Sequence, residues 1–263
     1  MRASAKKLYQ AYQSLPYQVN LLIEGKFLSE LKRRRAYIGE QRSLLEDFRK
    51  KRPELTVIEE IVDRSSQGVQ RISGEMAQFW YASNALAQIK PRQIHDVGSH
   101  RPWLTGVASA LPVHTLDVRR PALLALNEVF HQGRAEELPY ESDTIECLTS
   151  LCSLEHFGLT SYGDEYDPDG DIKAIGEVRR VLRPGGHLVL TTLCTGRSSP
   201  FVVFNTRRVY SLSVLYEMSR GFQVKDRSFF SVRANAFIDA SELHTTLGPY
   251  DWDIYLAIWQ KNS

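Results

Sequence analysis

The sequence predicts an α/β protein, with a mostly parallel sheet and crossover helices over residues 91–263 and a helical region over residues 1–90. Three observations predict it. After Pro91 the hydrophobic pattern changes from helical periodicity to short apolar runs alternating with helical stretches, the grammar of a sheet with crossover helices. The first of those runs passes into a glycine turn, Asp96-Val97-Gly98-Ser99. Further on, Pro184-Gly185-Gly186 stops an amphipathic helix and turns the chain into another apolar run.

The elements follow in order. Leu21, Leu22, Phe27, Leu28 and Leu31 fall near helical spacing with charged residues between them. Pro53 marks a break, and a second periodic run carries Thr56, Ile58, Ile61 and Val62. Ser65-Ser66-Gln67-Gly68 loosens the chain before a third helix with Met76, Phe79, Trp80 and Leu86. Phe79-Trp80-Tyr81 reads as core packing or as the rim of a site. Strand-like runs then occupy 93–97, 113–116, a weaker 129–131, 144–150 and 187–192, and the runs 222–230 and 253–260 complete seven expected strands. Residues 171–182 form the amphipathic helix before the Pro-Gly-Gly turn.

Composition sets broad limits. The chain has 263 residues, 43% hydrophobic and 24% charged, which is ordinary for a globular protein with its own core. A formal net charge of +2 argues against nucleic acid as the partner. Basic residues cluster at Lys32-Arg33-Arg34-Arg35 and Arg49-Lys50-Lys51-Arg52. These read as solvated helix faces or as a peripheral contact to an anionic membrane or a partner complex. Cys147, Cys152 and Cys194 lack CxxC spacing and read as buried thiols of a reducing compartment. The absence of a leader-like or membrane-length apolar run suggests a cytoplasmic protein.

Four features carry the chemistry. In Asp96-Val97-Gly98-Ser99-His100, glycine lets a ligand approach the backbone closely. Leu116-Asp117-Val118 ends the next strand with an acid about 20 residues later, a spacing that suits hydrogen bonds from ribose hydroxyls. Gly133-Arg134-Ala135-Glu136 offers backbone groups that could read an adenine edge. The run through 147–157 delivers Ser153, Leu154, Glu155 and His156 to the carboxyl edge of the sheet, where open α/β sheets bind ligands.

In this order the motifs resemble the class I methyltransferase superfamily over roughly residues 93–192. The post-strand-three segment Ala135-Glu136-Glu137-Leu138-Pro139-Tyr140, Leu154-Glu155-His156, and Glu177-Val178-Arg179-Arg180-Val181-Leu182-Arg183-Pro184-Gly185-Gly186 carry the resemblance. It implies a Rossmann-like sheet of seven strands and S-adenosylmethionine as methyl donor. Asp96, Gly98, Ser99, His100, Asp117, Val118, Ala135, Glu136, Ser153 and Leu154 would form the cofactor site. A closer similarity is to a subfamily associated with surface-polysaccharide synthesis. It rests on Asp96-Val97-Gly98-Ser99-His100, Leu116-Asp117-Val118-Arg119, Glu155-His156-Phe157-Gly158-Leu159-Thr160-Ser161-Tyr162-Gly163-Asp164 with Asp167-Pro168, and Phe204-Asn205-Thr206-Arg207-Arg208-Val209-Tyr210. That similarity implies O-methylation of a sugar hydroxyl. Two departures stand out: Ser99-His100-Arg101-Pro102 replaces the further glycines of the first motif, and Arg134 stands where an acid is common.

Methyl transfer to a hydroxyl needs a base near the acceptor. His156 is the first choice, because imidazole titrates near neutrality; the alternative is that it orders its loop. Residues 162–171 contain five acids. Asp164 and Asp167 are candidates for a second base or for acceptor contacts. A divalent cation held by oxygen ligands and a capped turn are the other readings of this loop. Tyr162, Asn205, Arg207, Arg208 and Tyr210 are the candidate acceptor residues, since guanidinium forks suit carboxylates and phosphates; a solvated loop or ion pairs would explain them equally. Two rivals to an active methyltransferase remain. An NAD-dependent oxidoreductase expects GxGxxG at the first turn, which is missing. A scaffold that keeps the fold without turnover could serve a glycan-assembly complex.

Overall fold

The structure, a computed structural model, describes residues 27–51, 53 and 72–263. The chain divides into two compact units, Met1–Val69 and Gln70–Ser263. Within the first, α1 (Phe27–Lys51) carries Lys32-Arg33-Arg34-Arg35 and Arg49-Lys50-Lys51. Lys32, Arg33 and Arg35 are exposed, and Arg49, Lys50 and Lys51 fill the last turn, where cations complement the helix dipole. Arg49 pairs with Glu46 at 3.0 Å and Lys51 with Asp47 at 2.8 Å. The expected periodic run at Thr56–Val62, the Ser65–Gly68 break, Leu21, Leu22 and Arg52 lie outside the described residues.

The second unit begins with α2 (Gly74–Ile89), where the Ser73 hydroxyl accepts the Met76 amide at 3.1 Å as an N-cap. Although the sequence groups this helix with the N-terminal region, the structure places it in the second unit, burying Ala77, Tyr81, Ala82, Ala85 and Leu86 in one of the cores of the sheet. Next come β1 (Ile94–Val97), α3 (Arg101–Val107), β2 (Val113–Asp117), β3 (Glu128–Gln132) and β4 (Ile145–Leu151). They are followed by α4 (Gly170–Val181), β5 (Leu182–Thr195), β6 (Phe201–Val203), β7 (Arg207–Ser211) and α5 (Leu212–Met218), then β8 (Phe222–Ser231), β9 (Ala236–Ile238) and β10 (Asp253–Lys261). All seven expected runs are strands.

Among the described residues the sheet has ten strands where seven were expected, and it is mixed. Its main order is β3-β2-β1-β4-β5-β10-β8-β9. β3, β2, β1, β4 and β5 run parallel, whereas β10 lies antiparallel between β5 and β8. The additional strands are β6, β7 and β9, which are short. β6 and β9 form antiparallel pairs with their neighbours, and β7 also extends the β5 edge in parallel at Cys194 and Thr195. Runs of three to five residues pair only because a neighbouring edge is present, so their local pattern reads as loop.

Two cores enclose the sheet. Trp103 and Leu104 of α3 join α2 over Ile94, Val113, Val189, Leu256 and Ile258. Ala174, Ile175 and Val178 of α4 with Leu215 and Met218 of α5 join the core that holds Leu148, Leu188, Leu190 and Trp259. Burial on both faces explains why β4, β5 and β10 read as continuous apolar runs. α4 ends at Val181, and Pro184-Gly185-Gly186, expected as the turn before the strand, lies within β5 at a shift in its register with β4, with Gly185 at φ 74°. No helix of the described residues is long and apolar enough to cross a membrane.

Three histidines stack across β1, β2 and β3. His95 lies 4.8 Å from His114 and His114 5.7 Å from His131, while Tyr140 meets His95 edge-on at 4.7 Å. Burial, reinforced by repulsion from His114 and His131, pushes His95 down from 6.5 to about 4. A histidine whose folded pKa lies below its unfolded value favours the neutral form, so its stabilisation is complete above the unfolded pKa and is lost as pH falls toward the folded one. Denaturant unfolding should therefore show wild type losing up to about 3 kcal/mol between roughly pH 7 and pH 4, relative to His95→Phe, which keeps a ring in the stack. Parallel pH curves for the two proteins would refute it.

Candidate functional site

A cleft of about 670 Å³ opens at the carboxyl ends of β1, β2 and β4, a size suited to a small-molecule ligand. The Gly98 turn forms its floor. Gly98 sits at φ 70°, and a Cβ there would come 2.9 Å from the Ser153 Cβ, so only glycine fits. The turn is held from behind. Asp96 is 1% exposed and does not line the cleft. Its Oδ1 accepts the Ser99 amide at 3.0 Å and its Oδ2 the Thr149 hydroxyl at 2.6 Å. Burial pushes its carboxyl up to about 6, against the pull of those hydrogen bonds. The Ser99 hydroxyl accepts the Leu151 amide at 2.9 Å, and Ser153 donates to the Val97 carbonyl at 2.8 Å. These bonds tie the ends of β1 and β4 together. Without further glycines, the chain enters α3 directly, with His100 as its N-cap and Pro102 in the first turn.

Asp117 leaves β2 into the cleft with Val118 and Arg119. Its Oδ1 accepts the Arg119 amide at 2.8 Å and Nε at 3.1 Å, and its Oδ2 accepts Nη2 at 3.1 Å. Ala135 and Glu136 form the next wall. Glu136 Oε1 is buried without a hydrogen-bond partner, while Oε2 lies 3.5 Å from Arg134 Nε. Arg134 also pairs with Glu165. Leu154 is buried in the core below the cleft.

His156 lies in a 3-10 turn after β4 and lines the cleft. Its Nδ1 is 2.5 Å from the Thr206 carbonyl. A carbonyl can only accept, so Nδ1 carries the proton and Nε2 of the neutral ring keeps its lone pair. Tyr162 meets the ring edge-on at 5.2 Å. Asp164 also lines the cleft, and its oxygens accept the amides of Thr160 and Tyr162, each at 3.2 Å.

The remaining expected residues are placed elsewhere. Asp167 lies outside the cleft lining, accepts the Asp169 amide at 3.1 Å and pairs with Lys173 at 2.6 Å. Arg208 is 7% exposed and Tyr210 is 2% exposed. The Arg208 guanidinium donates to the Phe157 carbonyl at 2.6 Å and the Pro168 carbonyl at 3.0 Å, with Asp171 3.5 Å away. The Tyr210 hydroxyl donates to Asp171 at 2.9 Å. Both therefore brace the loop between the 3-10 turn and α4. Asn205, at φ 57°, accepts the Thr160 hydroxyl at 2.8 Å, and Arg207 stacks over Trp252 at 5.8 Å. Among the described residues no three His, Cys, Asp or Glu side chains converge as metal ligands. Four of the five acids of the 162–171 loop, Asp164, Glu165, Asp167 and Asp171, are held by amides, Arg134, Lys173, Arg208 and Tyr210.

Sequence reasoning missed the contribution of α2. Glu75, Gln78 and Phe79 line the cleft, although nothing in their spacing marks them; only the aromatic cluster pointed to a rim. It also passed over Arg119, whose signal was its position two residues after Asp117.

Among the many solved structures that resemble the chain are two with TM-scores of 0.50 or above. One is the Burkholderia thailandensis 1,6-didemethyltoxoflavin-N1-methyltransferase with bound 1,6-didemethyltoxoflavin and S-adenosylhomocysteine. It is 14% identical with a TM-score of 0.53, over 72% of this chain and 80% of that one. The other is a candidate sarcosine dimethylglycine methyltransferase from Galdieria sulphuraria, 16% identical with a TM-score of 0.50, over 71% and 85% of the two chains. They establish a Rossmann-like methyltransferase fold. No curated protein matches the chain. A family model matches residues 114–246, which include Asp117, Glu136 and His156, and the chain belongs to the family it describes, "Caenorhabditis protein of unknown function, DUF268".

Proposed function

We propose that the chain is an S-adenosylmethionine-dependent methyltransferase that methylates a hydroxyl of a saccharide. The observation that carries the reading is the convergence of Gly98, Asp117, Glu136 and His156 on one cleft. The donor set fits the cofactor. Asp117 offers a carboxylate to the ribose hydroxyls, the Ala135-Glu136 wall offers backbone groups to the adenine edge, and the Gly98-Ser99 turn leaves room at the methionine end. When bound, the cofactor would supply a sulfonium-activated methyl group for the acceptor oxygen. His156 Nε2 takes the hydroxyl proton, and the Thr206 carbonyl holds the ring in the tautomer that can do so. Phe79 and Phe157 give the cleft part of its apolar lining.

The saccharide part rests on the motif resemblance. It gains support from Tyr166 and Phe204, exposed aromatic rings 6.4 Å apart beside the 205–206 loop that holds His156. Such faces can pack against the apolar face of a sugar ring. A non-sugar small-molecule acceptor is the second reading, favoured by the toxoflavin precursor bound in the Burkholderia relative. Turnover with saccharides and with heteroaromatic acceptors separates the two.

Calorimetry with S-adenosylhomocysteine tests the cofactor half. Wild type should bind, and Asp117→Ala should weaken binding by more than about ten-fold, because two charge-assisted hydrogen bonds are lost. Absence of binding at millimolar ligand would overturn the reading.

A further inference from the structure

The Asp117 carboxylate cannot serve two partners unchanged. Arg119 engages both its oxygens, in the paired fork geometry that makes arginine–carboxylate contacts strong. The same guanidinium lies over the Tyr162 ring, 4.2 Å from its centroid, and Tyr162 in turn touches His156. All four side chains line the same cleft. The Arg119 side chain is 55% exposed, so packing does not lock it in place. Arg101, the other arginine of the cleft, is committed elsewhere, with its fork on Glu128 and Nη2 also on the Leu123 carbonyl.

Under the cofactor reading, on which this inference rests, ribose hydroxyls must compete with Arg119 for the Asp117 oxygens. A guanidinium displaced inside a partly enclosed cleft keeps donors that need acceptors, and an oxyanion satisfies them best. The Tyr162 ring keeps the displaced group on the His156 side, where the acceptor must lie.

We infer that Arg119 recognises the acceptor. It exchanges Asp117 for an oxyanion, carboxylate or phosphate, carried by the acceptor next to the hydroxyl that is methylated. Either ligand alone must break the Asp117–Arg119 pair, but the two together break it once. Cofactor and anionic acceptor therefore bind with positive cooperativity.

Calorimetry of S-adenosylhomocysteine binding to the full chain tests this, in chloride, inorganic phosphate and glucuronate buffers of matched ionic strength, which removes general screening. Wild type should bind about five-fold or more tightly in at least one oxyanion buffer than in chloride. An effect of phosphate alone assigns a phosphorylated acceptor, and an effect of glucuronate alone assigns a carboxylated one. Arg119→Ala should bind S-adenosylhomocysteine at least as tightly as wild type in chloride and respond to neither anion. Wild-type binding that is equal in all three buffers overturns the inference, as does an Arg119→Ala protein that loses cofactor affinity. Wild type that binds no S-adenosylhomocysteine in any buffer overturns the cofactor reading itself.

Discussion

Replacing His156 by alanine should lower methyl transfer by about 10²–10⁴-fold while leaving S-adenosylhomocysteine affinity within about two-fold. The tautomer of this imidazole is set by a carbonyl, through Nδ1 and Thr206, with the opposite nitrogen left as an acceptor. The same hydrogen bond gives His156 a second role, since it ties the 3-10 turn to the 205–206 loop. His156→Asn separates the two, because its amide can still donate to the Thr206 carbonyl but cannot take a proton at neutral pH. If the residue only orders the loop, His156→Asn keeps wild-type turnover. If it is the base, both variants lose turnover and only His156→Ala also loses thermal stability. Release of S-adenosylhomocysteine across a panel of saccharides provides the assay.

Arg208→Ala should destabilise the fold by about 3–5 kcal/mol, the usual cost of removing one partner from a buried ion pair. The loss leaves the Phe157 and Pro168 carbonyls without their donor and Asp171 without its counter-charge. Burial already raises the Asp171 carboxyl, and Arg208 is the main influence opposing it. Thermal melts of Arg208→Ala and Arg207→Ala make the comparison, since Arg207 only stacks on Trp252 at 5.8 Å and should cost far less. Equal melting temperatures for wild type and Arg208→Ala, with a raised acceptor KM, would return Arg208 to the acceptor-binding role its position after the fifth run suggested.

The contrast between these arginines shows where sequence patterns end. Arg207, Arg208, Val209 and Tyr210 read locally as a polar stretch after an apolar run. Pairing with β5 and β6 makes them a strand, and alternation then sends Arg208 and Tyr210 to one face, where Asp171 waits, and Arg207 to the other. Asp96 illustrates the same effect. Its place before Gly98 suggested contact with the cofactor, but its side chain turns away from the cleft to hold Ser99 and Thr149. Asp117 lines the cleft because a residue that ends a central parallel strand must emerge at the carboxyl edge.

The sequence by itself determined the seven main strands, the end of α4 a few residues before Pro184-Gly185-Gly186, the glycine at the first turn and the order in which Asp117, Glu136 and His156 reach the sheet edge. All of these depend on periodicity, turn chemistry and strand order, which are local. Tertiary structure alone decided that β10 inserts antiparallel beside β5, that α2 walls the cleft with Gln78 and Phe79, and which charges are buried as braces. These depend on partners far apart in the chain, such as Arg208 with Phe157 or Asp96 with Thr149. A short segment specifies which hydrogen-bonding groups it carries, but the fold specifies which of them meet.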